Sequence, residues 1–202
     1  VKVFGDYQTP DAALASGEID ANSYQHEPFL QAYNANNKTD LVVAGKTYLA
    51  PLALYSKKIK SASEIKDGAT IAIPNDPSNG GRALQLLAKQ GWIELKPDVP
   101  ATKVTKADIT KYVKKIKIVE IEAPQLPRSL DDTTASVINA GYAFAANLTK
   151  KDQIVAEDNT SPYVNIIAVK KGRETDPSIV KYIEIFHTEP VKKFIEDKYK
   201  GQ

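Results

Sequence analysis

Short apolar runs alternate along the chain with turn residues, and their spacing switches repeatedly between the periods of strands and helices. Residues 1–4 read as a strand, followed by turns at Gly5-Asp6 and Thr9-Pro10. Asp11 can cap a helix through Ala12, Ala13, Leu14 and Ala15, closing at Gly17. Residues 19–24 follow as a strand and 27–34 as a helix with Pro28 at its start. Residues 41–43 and 48–55 read as strands, with Pro51 as a kink or chain crossing.

A short helical piece, 63–66, leads into the stretch around which the chain is organised. The apolar run after Gly68 reads as a buried strand that stops at Asn75, Asp76 and Pro77. Asp76 then serves as N-cap and Pro77 as first helical residue of a helix carried by Ala83, Leu84, Leu86, Leu87 and Ala88 as far as Gly91. Residues 99–111 are polar and Thr/Lys-rich, a surface connection in which Asp108 opens a short helix. Strands are predicted at 116–121, 135–139 and 163–169, a turn of helix at 125–130 and a small helix at 141–147. A long amphipathic helix over 178–199 is interrupted near Thr188-Glu189-Pro190. Strands alternating with helices and no repeat predict an α/β fold with mostly parallel sheets.

The 202 residues suffice for one domain or two small lobes, and no run is long enough to span a bilayer. A net charge of +2, with lysines scattered among acids, argues against nucleic acid. Lys57-Lys58 and Lys114-Lys115 read as solvated faces. Cysteine is absent, which removes disulfides, thiol catalysis and cysteine-ligated metal. Methionine is absent too, and the first residues are already apolar, both of which suggest a processed or truncated chain.

At the mouth of the central helix stand Asn79, Gly80, Gly81 and Arg82. Backbone N–H groups there lack helical partners, the dipole favours an anion, glycine allows close approach, and arginine supplies a two-pronged donor. The functional reading is a small-anion site; the alternative is an ordinary strand–loop–helix connection with Arg82 on a solvated face. Other signals fail. Gly45-Lys46-Thr47 resembles the end of a phosphate loop, but Asp40 stands where the first glycine belongs. His26 and His187 are the only histidines, no spacing suggests a zinc site, and no nucleophile has a partnered base. His187 reads as surface, and Asp131-Asp132, beside Arg128 and Ser129, as local caps and pairs. Arg128 competes with Arg82 as an anion ligand and is assigned to structure. Asn139 and Asn165 fall on strand positions where an amide is costly unless bonded, so each is either a structural buried amide or a contact. Tyr7, Tyr24, His26 and Tyr48 are aromatic candidates whose alternative role is ordinary packing.

Four stretches carry a family resemblance. They are Ile73-Pro74-Asn75-Asp76-Pro77-Ser78-Asn79-Gly80-Gly81-Arg82-Ala83-Leu84, Ala123-Pro124-Gln125-Leu126-Pro127-Arg128-Ser129-Leu130-Asp131-Asp132, Ser161-Pro162-Tyr163-Val164-Asn165 and Pro51-Leu52-Ala53-Leu54-Tyr55-Ser56-Lys57-Lys58. In this order, over nearly the whole chain, they resemble the NlpA/MetQ family of methionine-binding lipoproteins of bacterial ABC importers. The resemblance implies a type II periplasmic-binding-protein fold: two α/β lobes with the ligand in the cleft between them, lobe 1 from residues 1–51 plus 166–202 and lobe 2 from 52–165. It also implies a signal peptide, a lipid-carrying cysteine and a first strand–helix unit ahead of Val1, so an N-terminal unit is expected to be missing.

For function, the resemblance implies a non-enzymatic extracytoplasmic protein, anchored to the membrane by a lipid that is not part of this chain. It would capture L-methionine by lobe closure and deliver it to an ABC transporter permease, acting as a monomer without cofactor, metal or nucleic acid. Implied ligand contacts are Arg82 with the Asn79, Gly80 and Gly81 turn for the carboxylate, Asn139 and Asn165 for the polar groups, and Tyr7, Tyr24, His26 and Tyr48 around the side chain. Tyr24 and Tyr48 stand where the family often carries phenylalanine, and their hydroxyls either admit a more polar ligand or contact water. The alternatives are D-methionine, a methionine-containing dipeptide such as glycyl-methionine, another apolar amino acid, a small-anion hydrolase or transferase, and a surface adhesin with an empty cleft.

Overall fold

A computed structural model of the chain describes residues 1–158 and 161–199. In chain order the elements are α1 (Thr9–Ser16), β1 (Asn22–His26), α2 (Glu27–Asn37), β2 (Leu41–Leu49), β3 (Leu52–Tyr55), β4 (Thr70–Pro74), α3 (Pro77–Lys89) and β5 (Ile93–Leu95). There follow β6 (Ile109–Tyr112), β7 (Lys117–Ile121), α4 (Leu126–Ser129), β8 (Ala135–Asn139), α5 (Ala140–Ala145), β9 (Gln153–Ala156), β10 (Val164–Lys170), α6 (Pro177–Phe186) and α7 (Glu189–Tyr199). Among the described residues five short 3-10 turns connect them.

The chain divides into two compact units, one formed by Val1–Ala50 with Ser161–Gly201 and the other essentially by Pro51–Thr160. The first boundary falls at Pro51, where the sequence placed a crossing. The second falls before β10 rather than after Asn165, because β10 pairs along its length with β1 and β2.

In the first unit β10 is the central strand, antiparallel to both neighbours, with Asn165 opposite His26 and Val164 opposite Leu49. Leu14, Leu30, Tyr33, Leu41, Ile166 and Ala168 form the core beneath α1 and α2. Gly45 lies inside β2, where an added Cβ would stand 3.1 Å from the Ile183 side chain of α6. The glycine thus lets α6 close on the sheet, and Gly45-Lys46-Thr47 is strand rather than phosphate loop.

In the second unit the sheet order is β7-β4-β8-β3-β9. β4 runs parallel to β7 and β8, while β3 is antiparallel to β8 and β9. A separate antiparallel pair joins β5 to β6. Leu52, Leu54, Ile71, Ile73, Val137 and the apolar face of α3, Leu84 and Leu87 among them, fill one core with Trp92 and Ile93.

The expectation of mostly parallel sheets is therefore corrected to a mixed α/β arrangement in which most pairings are antiparallel. Alternation of strands and helices implies parallel pairing only when sheet neighbours are chain neighbours. Here β10 inserts between two strands from the other end of the chain.

Four local expectations also change. Residues 1–4 form no strand: among the described residues no strand pairs with them, and Val1 and Val3 are exposed. Asp11 does not cap α1. Asp6 holds the helix start instead, accepting from the Gln8 and Thr9 amides and the Thr9 hydroxyl, each at 2.7 Å, while Asp11 turns inward. Asp108 closes a 3-10 turn whose N-cap is Thr105 instead of opening a helix, and β6 follows at once. Lys114, expected on a solvated face, lays its ammonium on the Ile65 carbonyl at 2.7 Å.

Candidate functional site

Of the ten residues singled out in the sequence, five sit at one end of the larger sheet of the second unit. The segment leaving β4 bends at Asn75, and Asp76 caps α3 as expected, accepting from the Asn79 amide at 2.9 Å. The Asn79 side chain is also tied down: its Nδ2 lies 3.0 and 3.2 Å from the two Asp76 oxygens, and its Oδ1 accepts from Asn139 Nδ2 at 3.0 Å. Asn139 ends β8, beside β4, which is what carries it to the start of α3.

The glycines have a reason other than ligand approach. The Gly80 amide donates to the Asp76 carbonyl at 2.8 Å, and a Cβ at Gly80 would meet the Pro74 carbonyl at 3.0 Å. A Cβ at Gly81 would stand 2.5 Å from the Val104 carbonyl oxygen. The polar connection after β5 thus lies directly on the first turn of α3, and only glycine permits it. The helix mouth is capped from within by the Asp76 carboxylate.

Arg82 is 3 % exposed, and its Nε donates to Glu157 Oε1 at 2.6 Å while Nη2 pairs with Glu157 Oε2. Glu157 follows β9 and also accepts from the Leu52 amide at 2.9 Å, fixing the start of β3. One edge of the expected fork is therefore held by an internal carboxylate. Sequence reasoning missed Glu157. A lone glutamate after an unassigned strand gave no signal, and only the folded chain brings it across to Arg82. Arg128, the competitor, is exposed on α4.

The other five residues belong to the first unit. Tyr7, Tyr24 and Phe29 pack mutually with ring centroids 5.8 to 6.1 Å apart, and His26 lies 5.0 Å from Tyr163. His26 is buried and caps α2, its Nδ1 accepting from the Phe29 amide at 3.3 Å. The Tyr24 hydroxyl lies 2.7 Å from the Tyr7 carbonyl and 3.0 Å from Asp11 Oδ2. Asp11 is fully buried and also accepts from Asn22 at 2.9 Å and Gln25 at 2.6 Å. Burial pushes the Asp11 carboxyl above its usual range, opposed by these hydrogen bonds from Asn22, Gln25 and Tyr24. Burial first, and then the Asp11 charge, raise the Tyr24 phenol.

Tyr48 stands apart from this ring group. It stacks on Phe186 and Tyr199 of the last two helices, at 6.5 and 6.1 Å, and is hydrogen-bonded to Asn165. Burial, then the nearby Tyr199, raise its phenol. The hydroxyls of Tyr24 and Tyr48 thus serve internal networks in this structure. His187 caps the end of α6 with its Nε2 2.7 Å from the Lys46 carbonyl. Among the described residues no group of acidic and histidine side chains could hold a metal ion, and no helix is long and apolar enough to cross a membrane.

Two mixed α/β units, one presenting a capped helix start with a buried arginine and paired asparagines, the other an aromatic group over a buried carboxylate, describe a ligand-binding class of protein. The model of the NlpA lipoprotein family matches residues 1–202, and the chain belongs to that family. It is 45% identical over 201 residues to the D-methionine-binding lipoprotein MetQ of Salmonella typhi, covering 98% of this chain and 74% of that relative. A nutrient binding protein from Burkholderia cenocepacia bound to methionine is similar at 46% identity and a TM-score of 0.94, over 98% of this chain and 83% of that one. An ABC transporter periplasmic substrate-binding protein from Coxiella burnetii matches at 41% identity and a TM-score of 0.94, with the same two coverages.

Proposed function

We propose that this chain is an extracytoplasmic, membrane-anchored substrate-binding protein that captures methionine for an ABC importer and catalyses no reaction. The observation that carries this reading is the likeness, over nearly all of the chain, to a protein bound to methionine. The local chemistry agrees with a zwitterion bearing an apolar tail. Arg82 is buried and held by Glu157 through Nε and Nη2, and its planar guanidinium is the group suited to a ligand carboxylate. Asn139 and Asn165 supply amides, and Tyr7, Tyr24 and His26 supply ring faces and edges suited to a thioether, worth roughly 0.3–1.5 kcal/mol per sulfur–aromatic contact. Asn79 acts in this reading through Asn139, Tyr48 through Asn165, and Gly80 and Gly81 by letting the helix start pack.

A ligand gripped through its carboxylate should suffer severely when the cation is removed. Arg82→Ala is expected to abolish measurable methionine binding in calorimetry, and near-normal affinity in a folded variant would remove Arg82 from the carboxylate. The first experiment is mass spectrometry of small molecules released on denaturing the full-length protein. Methionine in near-equal amount supports the reading, a methionine dipeptide would revise specificity, and turnover of any bound compound would overturn the non-enzymatic role.

A further inference from the structure

Asparagine is an ambiguous ligand contact, because its amide can turn either a donor or an acceptor outward. At Asn139 that ambiguity is removed by two neighbours. The Asp76 carboxylate only accepts, so the Asn79 amide must face it with Nδ2, and both Asp76 oxygens lie within hydrogen-bond distance of that nitrogen. Asn79 Oδ1 is then the end turned to Asn139, and Asn139 can answer only with its own Nδ2. What remains is Asn139 Oδ1. It belongs to a residue 9 % exposed and has no donor among the described residues. A buried acceptor in this position is costly until something donates to it.

We propose that Asp76 and Asn79 are positioning residues that lock Asn139 as a one-way acceptor, reserved for the ammonium group of the bound amino acid. This rests on the methionine reading. The lock gives the second unit a sense of charge sign: an ammonium completes the chain of hydrogen bonds, whereas a ligand without a donor leaves Asn139 Oδ1 unmet. Discrimination of this kind is large, since a site built for a hydrogen bond rejects the analogue that lacks it.

The test compares L-methionine with its deaminated analogue, methylthiobutanoate, by calorimetry on the wild type and on Asp76→Ser. Serine keeps a good helix cap, but its hydroxyl can donate as well as accept, so the direction of the relay is released. The wild type should prefer methionine by about a hundredfold or more, and Asp76→Ser should cut that preference by about tenfold while leaving the analogue's affinity within about twofold. An unchanged preference in Asp76→Ser, or equal loss for both compounds, would overturn the lock; an Asn139 that merely holds a water gives the first of these. A wild type that binds neither compound overturns the methionine reading instead. The lock is then decided by hydrogen exchange at the Asn79 and Asn139 side-chain amides, expected to be slowed in the wild type and fast in Asp76→Ser. Fast exchange in the wild type would refute it.

Discussion

The two units bury charge in opposite ways. In the second, the Arg82 cation is met by the Glu157 carboxylate in a two-pronged pair beneath the sheet's end. In the first, the Asp11 carboxylate is surrounded by the neutral donors Asn22, Tyr24 and Gln25. A paired charge is held by Coulomb attraction and fails abruptly when its partner goes. A charge solvated by neutral dipoles is held by several weaker bonds and registers its cost as a displaced titration. The same fold therefore contains a site whose integrity depends on one partner and another whose integrity depends on pH.

The largest effect that would break this contrast is expected at Arg82. Arg82→Ala leaves Glu157 mostly buried without its cation and should lower unfolding free energy by about 3–5 kcal/mol in urea titration, beyond its effect on ligand. A loss below about 1 kcal/mol would mean that the pair is not what holds the start of β3 to the segment after β9. An intermediate effect is expected at the helix start, where Gly81→Ala pushes a methyl group into the Val104 carbonyl and should cost about 1–3 kcal/mol. Unchanged stability would show that the connection after β5 moves aside freely.

The smallest and most specific effect concerns Asp11. Its folded carboxyl titrates above its unfolded value of about 3.9, so its contribution favours the folded state most below that pH. The contribution is lost as pH rises through the folded value. The difference in unfolding free energy between the wild type and Asp11→Asn should therefore be flat below about pH 4 and fall, against the wild type, as pH rises beyond it. Parallel stability curves for the two proteins would remove the burial cost assigned to Asp11.

The helix start of α3 was legible because its signals are local: an apolar run, then Asp76-Pro77, then the leucines of one face. Asp76 caps where the sequence said it would. Asn139 was legible as a strand-end amide, yet its bond to Asn79 spans sixty residues of chain and has no local trace. Glu157 and β9 escaped for the same reason, being defined by their pairing to β3. Asp11 misled because an acid before an apolar helix ordinarily caps it, and only tertiary structure reveals that the side chain turns toward Asn22, Tyr24 and Gln25. Strand direction was illegible where β10 enters a sheet begun far upstream.

That insertion of β10 also sets an order of assembly. The second unit is one unbroken segment, so every strand of its sheet is available once the chain has been delivered through β9. β1 and β2 have no common partner until β10 arrives between them. Delivered from the N-terminus, β1 and β2 gain the partner they share only after every described strand of the second unit has been supplied, so the described sheet of the first unit is the later of the two to close.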